Sequence, residues 1–129
     1  MSEPIKLVAF CGSLRKASFN RMALNAFVEK LPAGVTTQTI EIDWPLYNAD
    51  IQAQGFPAPV QAAQKAMLEA DGLVLVTPEY NGSFPGILKY FIDMLPFPES
   101  FERKPVAFTG VAAGIWGALR PIEPVERGY

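Results

Sequence analysis

The stretch Leu73-Val74-Leu75-Val76-Thr77-Pro78-Glu79-Tyr80-Asn81-Gly82-Ser83-Phe84-Pro85-Gly86 decides the fold. Its first four residues are apolar without alternation, the pattern of a strand buried on both faces of a parallel sheet. The following ten are dominated by proline, glycine and short polar side chains, which make a turn-rich loop. Beyond Gly86, the residues Ile87, Leu88, Phe91, Ile92 and Leu95 recur at helical spacing, and Pro96 ends the stripe. A strand, a loop and a helix in that order form the repeating unit of a parallel α/β sheet.

The alternation extends in both directions. Ile5 to Phe10 is apolar except for Lys6 and predicts a first buried strand. After a polar turn, Phe19, Met22, Ala23, Ala26, Phe27 and Leu31 predict a helix that Pro32-Ala33-Gly34 stops. Val35 to Ile42 predicts a second strand, diluted by Thr36, Thr37, Gln38 and Thr39 and therefore suited to a sheet edge. Trp44 to Pro59 is expected to be a loop, and Val60, Ala63, Met67 and Leu68 mark the next helix, closed by Asp71-Gly72. Lys104 to Thr109 gives a fourth strand. The order βαβαβαβ predicts a doubly wound parallel sheet with right-handed crossovers. Ligands of such sheets sit beyond the carboxyl ends of the strands, at the switch point in strand order. That rule selects three loops, 11–20, 77–86 and 110–117.

Composition narrows the chemistry. A chain of 129 residues, half of them hydrophobic, fits one domain spanning 1–129 with a substantial core. A net charge of −2, with lysines and arginines scattered, gives no footprint for nucleic acid. The absence of histidine removes the Ser-His-Asp and Cys-His nucleophile systems and most zinc sites, so no metal ligand set is assigned. Cys11 is the one cysteine, which rules out an intrachain disulfide and reads as a small buried hydrophobe. Met1-Ser2-Glu3-Pro4 lacks the features of a signal peptide, and no apolar run approaches the ~18 residues of a membrane span. The expectation is a cytoplasmic protein with no membrane partner.

The first loop, Cys11-Gly12-Ser13-Leu14-Arg15-Lys16-Ala17-Ser18-Phe19-Asn20, runs from a strand into a helix N-terminus, where unpaired N–H groups and the dipole favour a phosphate. Ser13, Ser18 and Asn20 add donors, and Arg15 adds a fork matched to phosphate oxygens. The loop matches neither the dinucleotide fingerprint nor the P-loop, so a single terminal phosphate fits better than a pyrophosphate. A capped helix with a solvated arginine is the plainer alternative. In the second loop, Tyr80 and Asn81 suit a planar ring and its polar edge, against the alternative of a Pro/Gly turn. The third loop, Gly110 to Gly117, allows close approach of backbone to ligand or is a simple connection.

Together these loops resemble the NAD(P)H-dependent FMN reductase family, which includes bacterial quinone and chromate reductases. The matching segments are Gly12-Ser13-Leu14-Arg15 with Ser18-Phe19-Asn20, and Pro78-Glu79-Tyr80-Asn81 with Ser83, Pro85, Gly86 and Leu88-Lys89. Pro45-Leu46-Tyr47-Asn48-Ala49-Asp50 resembles the family's segment after strand two. The resemblance implies a flavodoxin-like fold with strand order 2-1-3-4-5. It implies that Ser13, Arg15, Ser18 and Asn20 hold the FMN phosphate with Phe19 behind them. Pro78, Glu79, Tyr80, Asn81 and Ser83 would meet the isoalloxazine ring, with Ala112 and Gly114 on the far side. The implied activity is ping-pong hydride transfer from NADPH or NADH, through FMN, to quinones, flavins or metal oxyanions. The cofactor carries the hard chemistry, so no catalytic side chain is assigned.

The pattern departs from the family in two places. Met94 stands where the family often has tryptophan. After strand four only Gly114 to Arg120 precedes a proline-containing tail, so strand five and its helix are expected to be missing and the domain truncated. A bare strand-four edge would then be covered by a second subunit in a homo-oligomer, or else left bare in a truncated product of reduced stability. Two other readings stay open at this level: a flavodoxin-type electron carrier, and a flavin-free oligomeric remnant.

Overall fold

The computed structural model describes residues 2–42 and 44–121. Four strands, β1 (Ile5–Cys11), β2 (Val35–Ile40), β3 (Gly72–Val76) and β4 (Val106–Thr109), form a parallel sheet in the order β2-β1-β3-β4. The helices are α1 (Phe19–Glu29), α2 (Ala49–Ala53), α3 (Ala58–Glu69) and α4 (Gly86–Asp93). The order matches the first four strands of the flavodoxin-like arrangement.

Period-two alternation along the central strands explains why helices cover both faces. Val8 and Phe10 of β1 and Leu73 and Leu75 of β3 face one core, shared with Met67 of α3 and Leu88 and Phe91 of α4. Ala9, Cys11, Val74 and Val76 face the other, where Leu24 of α1 seals them. Every residue of β3 is buried, as its unbroken apolar run requires. The Phe10 and Phe91 rings stack with centroids 4.5 Å apart and planes 3° from parallel, which seats α4 on β1. The diluted strand β2 lies at one edge, with alternating half-buried and exposed residues, as expected. Among the described residues β4 forms the other edge, with Val106, Ala107 and Thr109 exposed.

Some boundaries differ from expectation. The segment 44–59 is not all loop: the Asn48 side chain caps α2 by accepting from the Asp50 N–H at 2.8 Å. Three residues separate the end of α2 from Pro57, the N-cap of α3. Strand β2 stops at Ile40, although Ile42 is also buried. Helix α1 ends at Glu29, where the Lys30 N–H turns back to the Phe27 carbonyl at 3.1 Å. Strand β4 starts at Val106: Pro105 has no N–H, and the Lys104 backbone N–H turns back to the Phe101 carbonyl at 3.1 Å, while the Lys104 side-chain amine donates to the Met67 carbonyl. Burial holds that amine below the usual lysine range, against the opposing pull of Asp71. The proline-containing tail read from the sequence lies, beyond Pro121, outside the described residues.

Candidate functional site

Strand register builds the site. Cys11 pairs with Val76, and Val76 with Thr109, so the three strands end level with one another. The next residues are Gly12, Thr77 and Gly110. The Gly12 N–H donates to the Val76 carbonyl at 2.8 Å, and the Thr77 N–H to the Thr109 carbonyl at 3.0 Å. Thr77 is buried and fills the space between its neighbours. A Cβ on Gly12 would stand 2.4 Å from the Thr77 Oγ1. One on Gly110 would stand 2.4 Å from the Thr77 carbonyl oxygen and 2.1 Å from the Ala118 Cβ. Both glycines are therefore required by close approach, which locks the three loops around one residue.

Loop one ends in a formed helix cap. Ser18 has extended backbone, and its hydroxyl oxygen accepts from the Arg21 N–H at 3.3 Å. Accepting that bond leaves the hydroxyl hydrogen to donate. Ser13 and Ser18 are both buried, while Arg15 is exposed, its guanidinium carbon 5.5 Å from the centroid of the Phe19 ring. The first-turn amides of α1, the Ser18 hydroxyl and the Arg15 guanidinium make a donor set suited to an anion. Arg21 is separate from it, held by a two-point pair to Glu41 at 2.7 and 2.8 Å.

Loop two is stiff. Tyr80 and Ser83 exchange backbone hydrogen bonds at 2.9 and 3.2 Å, while Asn81 and Gly82 have φ of 52° and 77°. Two central residues with positive φ define a type I′ turn, the geometry that Asn-Gly favours. The ring of Tyr80 stands half exposed. On the strand side of the turn, the Glu79 carboxylate accepts from Arg120 Nη1 at 3.4 Å, tying loop two to the segment that follows loop three. A cleft of about 540 Å³ opens there, walled by Glu79, Ala112, Gly114, Trp116, Gly117 and Arg120. Its volume lies within the range of about 300–1,000 Å³ that small-molecule sites occupy.

Glu79, Ala112 and Gly114 all line this cleft. Pro78, Tyr80, Asn81 and Ser83 stand on the adjoining turn, outside that lining. Ser13, Arg15, Ser18 and Phe19 cluster at the α1 end. Asn20 departs from expectation: its side-chain amide faces the Val111 backbone, with Nδ2 to the carbonyl at 3.1 Å and the Val111 N–H to Oδ1 at 2.9 Å. Trp116 and Gly117 belong to the third loop read from the sequence without an individual role, and Arg120 lies beyond it. The only available signal was a large aromatic residue between glycines, Gly114 and Gly117.

A parallel sheet in the order 2-1-3-4, with three loops converging over its carboxyl edge, defines a flavodoxin-like α/β protein. The sequence pattern of NADPH-dependent FMN reductases matches residues 5–124. The chain is 40% identical over 123 residues to an NAD(P)H-dependent FMN reductase of Pseudomonas aeruginosa, covering 93% of this chain and 66% of the relative. It is 42% identical over 125 residues to a quinone reductase of Escherichia coli, with the same coverage of each. The solved flavoenzyme NAD(P)H:(acceptor) oxidoreductase FerB of Paracoccus denitrificans superposes with a TM-score of 0.86 at 29% identity, over 95% of this chain and 69% of that one. The chain belongs to the NADPH-dependent FMN reductase family. It spans 66% of the length of the two curated relatives.

Proposed function

We propose that the protein is an NAD(P)H-dependent oxidoreductase that binds FMN and passes electrons by a ping-pong route to quinones, flavins or metal oxyanions. The observation that carries this reading is the pairing of two unlike subsites over one sheet edge. A compact anion-donor set lies at α1, and an open cleft lies beyond β3 and β4. A phosphate monoester joined to a planar ring has that polarity. The donors fit one terminal phosphate, because neither glycine fingerprint of a pyrophosphate site is present.

Arg15 and Ser18, with Ser13 beside them, would hold the phosphate. The I′ turn at Asn81-Gly82 would fix Pro78, Glu79, Tyr80 and Ser83 against one side of the ring, with Ala112 and Gly114 opposite. FMN, when bound, supplies the two-electron redox chemistry. The protein's share is orientation and preorganised backbone donors at the loop ends. The Glu79–Arg120 pair at the cleft wall keeps a carboxylate neutralised where NAD(P)H, itself anionic, must approach. Supply of NAD(P)H places such an enzyme in the cytoplasm. A homo-oligomer belongs to the same reading.

Steady-state NADPH oxidation by FMN-loaded protein tests the reading. Quinone-dependent turnover with parallel-line kinetics is expected. A loaded protein that leaves NADPH unoxidised would instead be an electron carrier.

A further inference from the structure

We infer that the Asn20 side chain is a positioning group that fixes the cleft wall through Val111, and is not itself a phosphate ligand. The inference rests on the FMN reading for its consequence, and on the hydrogen bonds alone for its geometry. Asn20 occupies the first turn of α1 and is 4% exposed. Its amide plane is presented to a single peptide segment, donating to the Val111 carbonyl and accepting from the Val111 N–H. The two residues are 91 positions apart, so this contact ties loop one directly to loop three.

Val111 lies between two functional neighbours. Gly110 is held from the other side by the Thr77 carbonyl and Ala118, and Ala112 lines the cleft. The wall is therefore gripped at consecutive residues, by packing at Gly110 and by hydrogen bonding at Val111. The phosphate donors do not depend on Asn20. Ser18 caps through Arg21, and Arg15 rests on Phe19. Loss of the Asn20 amide should consequently loosen the ring side of the site and leave the phosphate side intact. Val111 is 38% exposed, so water can satisfy its backbone after the amide is removed, and the variant should fold.

The test compares Asn20→Ala with Arg15→Ala, using FMN and riboflavin, which lacks the phosphate. Asn20→Ala is expected to weaken both flavins by a similar factor, about tenfold, whereas Arg15→Ala weakens FMN alone. An Asn20→Ala protein that loses FMN affinity but keeps riboflavin affinity would overturn the inference. Amide exchange in the flavin-free protein provides a readout independent of function. The Val111 N–H should exchange at least about tenfold faster in Asn20→Ala, with the Gly12 N–H unchanged. Unchanged exchange at Val111 would also overturn it. If the wild-type protein binds neither flavin, the functional reading fails, and the exchange result still decides the role of Asn20.

Discussion

Phe91→Ala is expected to destabilise the protein by about 3–5 kcal/mol, as measured by urea or thermal unfolding. Phe91 is fully buried, stacked on Phe10 of β1 and flanked by Trp44, whose ring centroid is 6.3 Å away. Truncation removes its transfer free energy and leaves a cavity that two rigid aromatic neighbours cannot fill. Domains of this size have a total stability of only about 5–15 kcal/mol, so much of the margin would go. The site should suffer with the core, because α4 begins at Gly86, where loop two ends. Ile92→Ala, at a half-buried position on the same helix, should cost clearly less. Equal losses from the two variants would mean that α4 does not sit on β1 as described.

Gly110→Ala should damage the site more than its size suggests. The added methyl would stand 2.4 Å from a backbone carbonyl and 2.1 Å from another Cβ, so loop three must shift. Overpacking of this kind costs about 1–3 kcal/mol. Displacement of the adjoining wall should lower FMN affinity about tenfold or more, equivalent to at least ~1.4 kcal/mol of binding. Gly86→Ala is the matched control. Nothing lies within 4 Å of its added methyl, and it opens a helix, so stability should hold or rise. Calorimetric melting and FMN titration of both variants check this. A Gly110→Ala protein with wild-type affinity would show that loop three does not border the ligand.

Much of this architecture is visible in the sequence for identifiable reasons. The unbroken run Leu73–Val76 and the stripe from Ile87 to Leu95 are strong periodic signals, and both elements appear where expected. The threonine-rich β2 reads correctly as an edge because its exposed positions, Thr36 and Gln38, carry polar side chains that a central buried strand would not take. Helix α2 was not visible: five residues are too few for a periodic stripe, and none of them is buried. Its one clue, Asn48 two residues before Asp50, reads equally well as a turn.

The site divides the same way. The anion-donor pattern around Arg15 and Ser18 is local, since a cap and a nearby cation sit within a few positions of one another. Asn20 also looks local, as one more first-turn donor, yet its partner is brought to it only by closing the sheet. The Glu79–Arg120 pair spans 41 positions for the same reason. Gly110 reads from sequence as permitting close approach of backbone to ligand, and Gly12 only as part of a motif. Only the packing shows that Thr77 forbids a side chain at either position.

Titration of the purified protein with FMN, followed by flavin fluorescence and absorbance, tests the central claim most directly. Saturable binding of one FMN per chain, in the sub-micromolar range of about −8 kcal/mol or tighter, is the expected result. Absence of binding at about 100 μM FMN, by a protein that melts cooperatively, would contradict the account: the fold would then stand without the site it was read to carry.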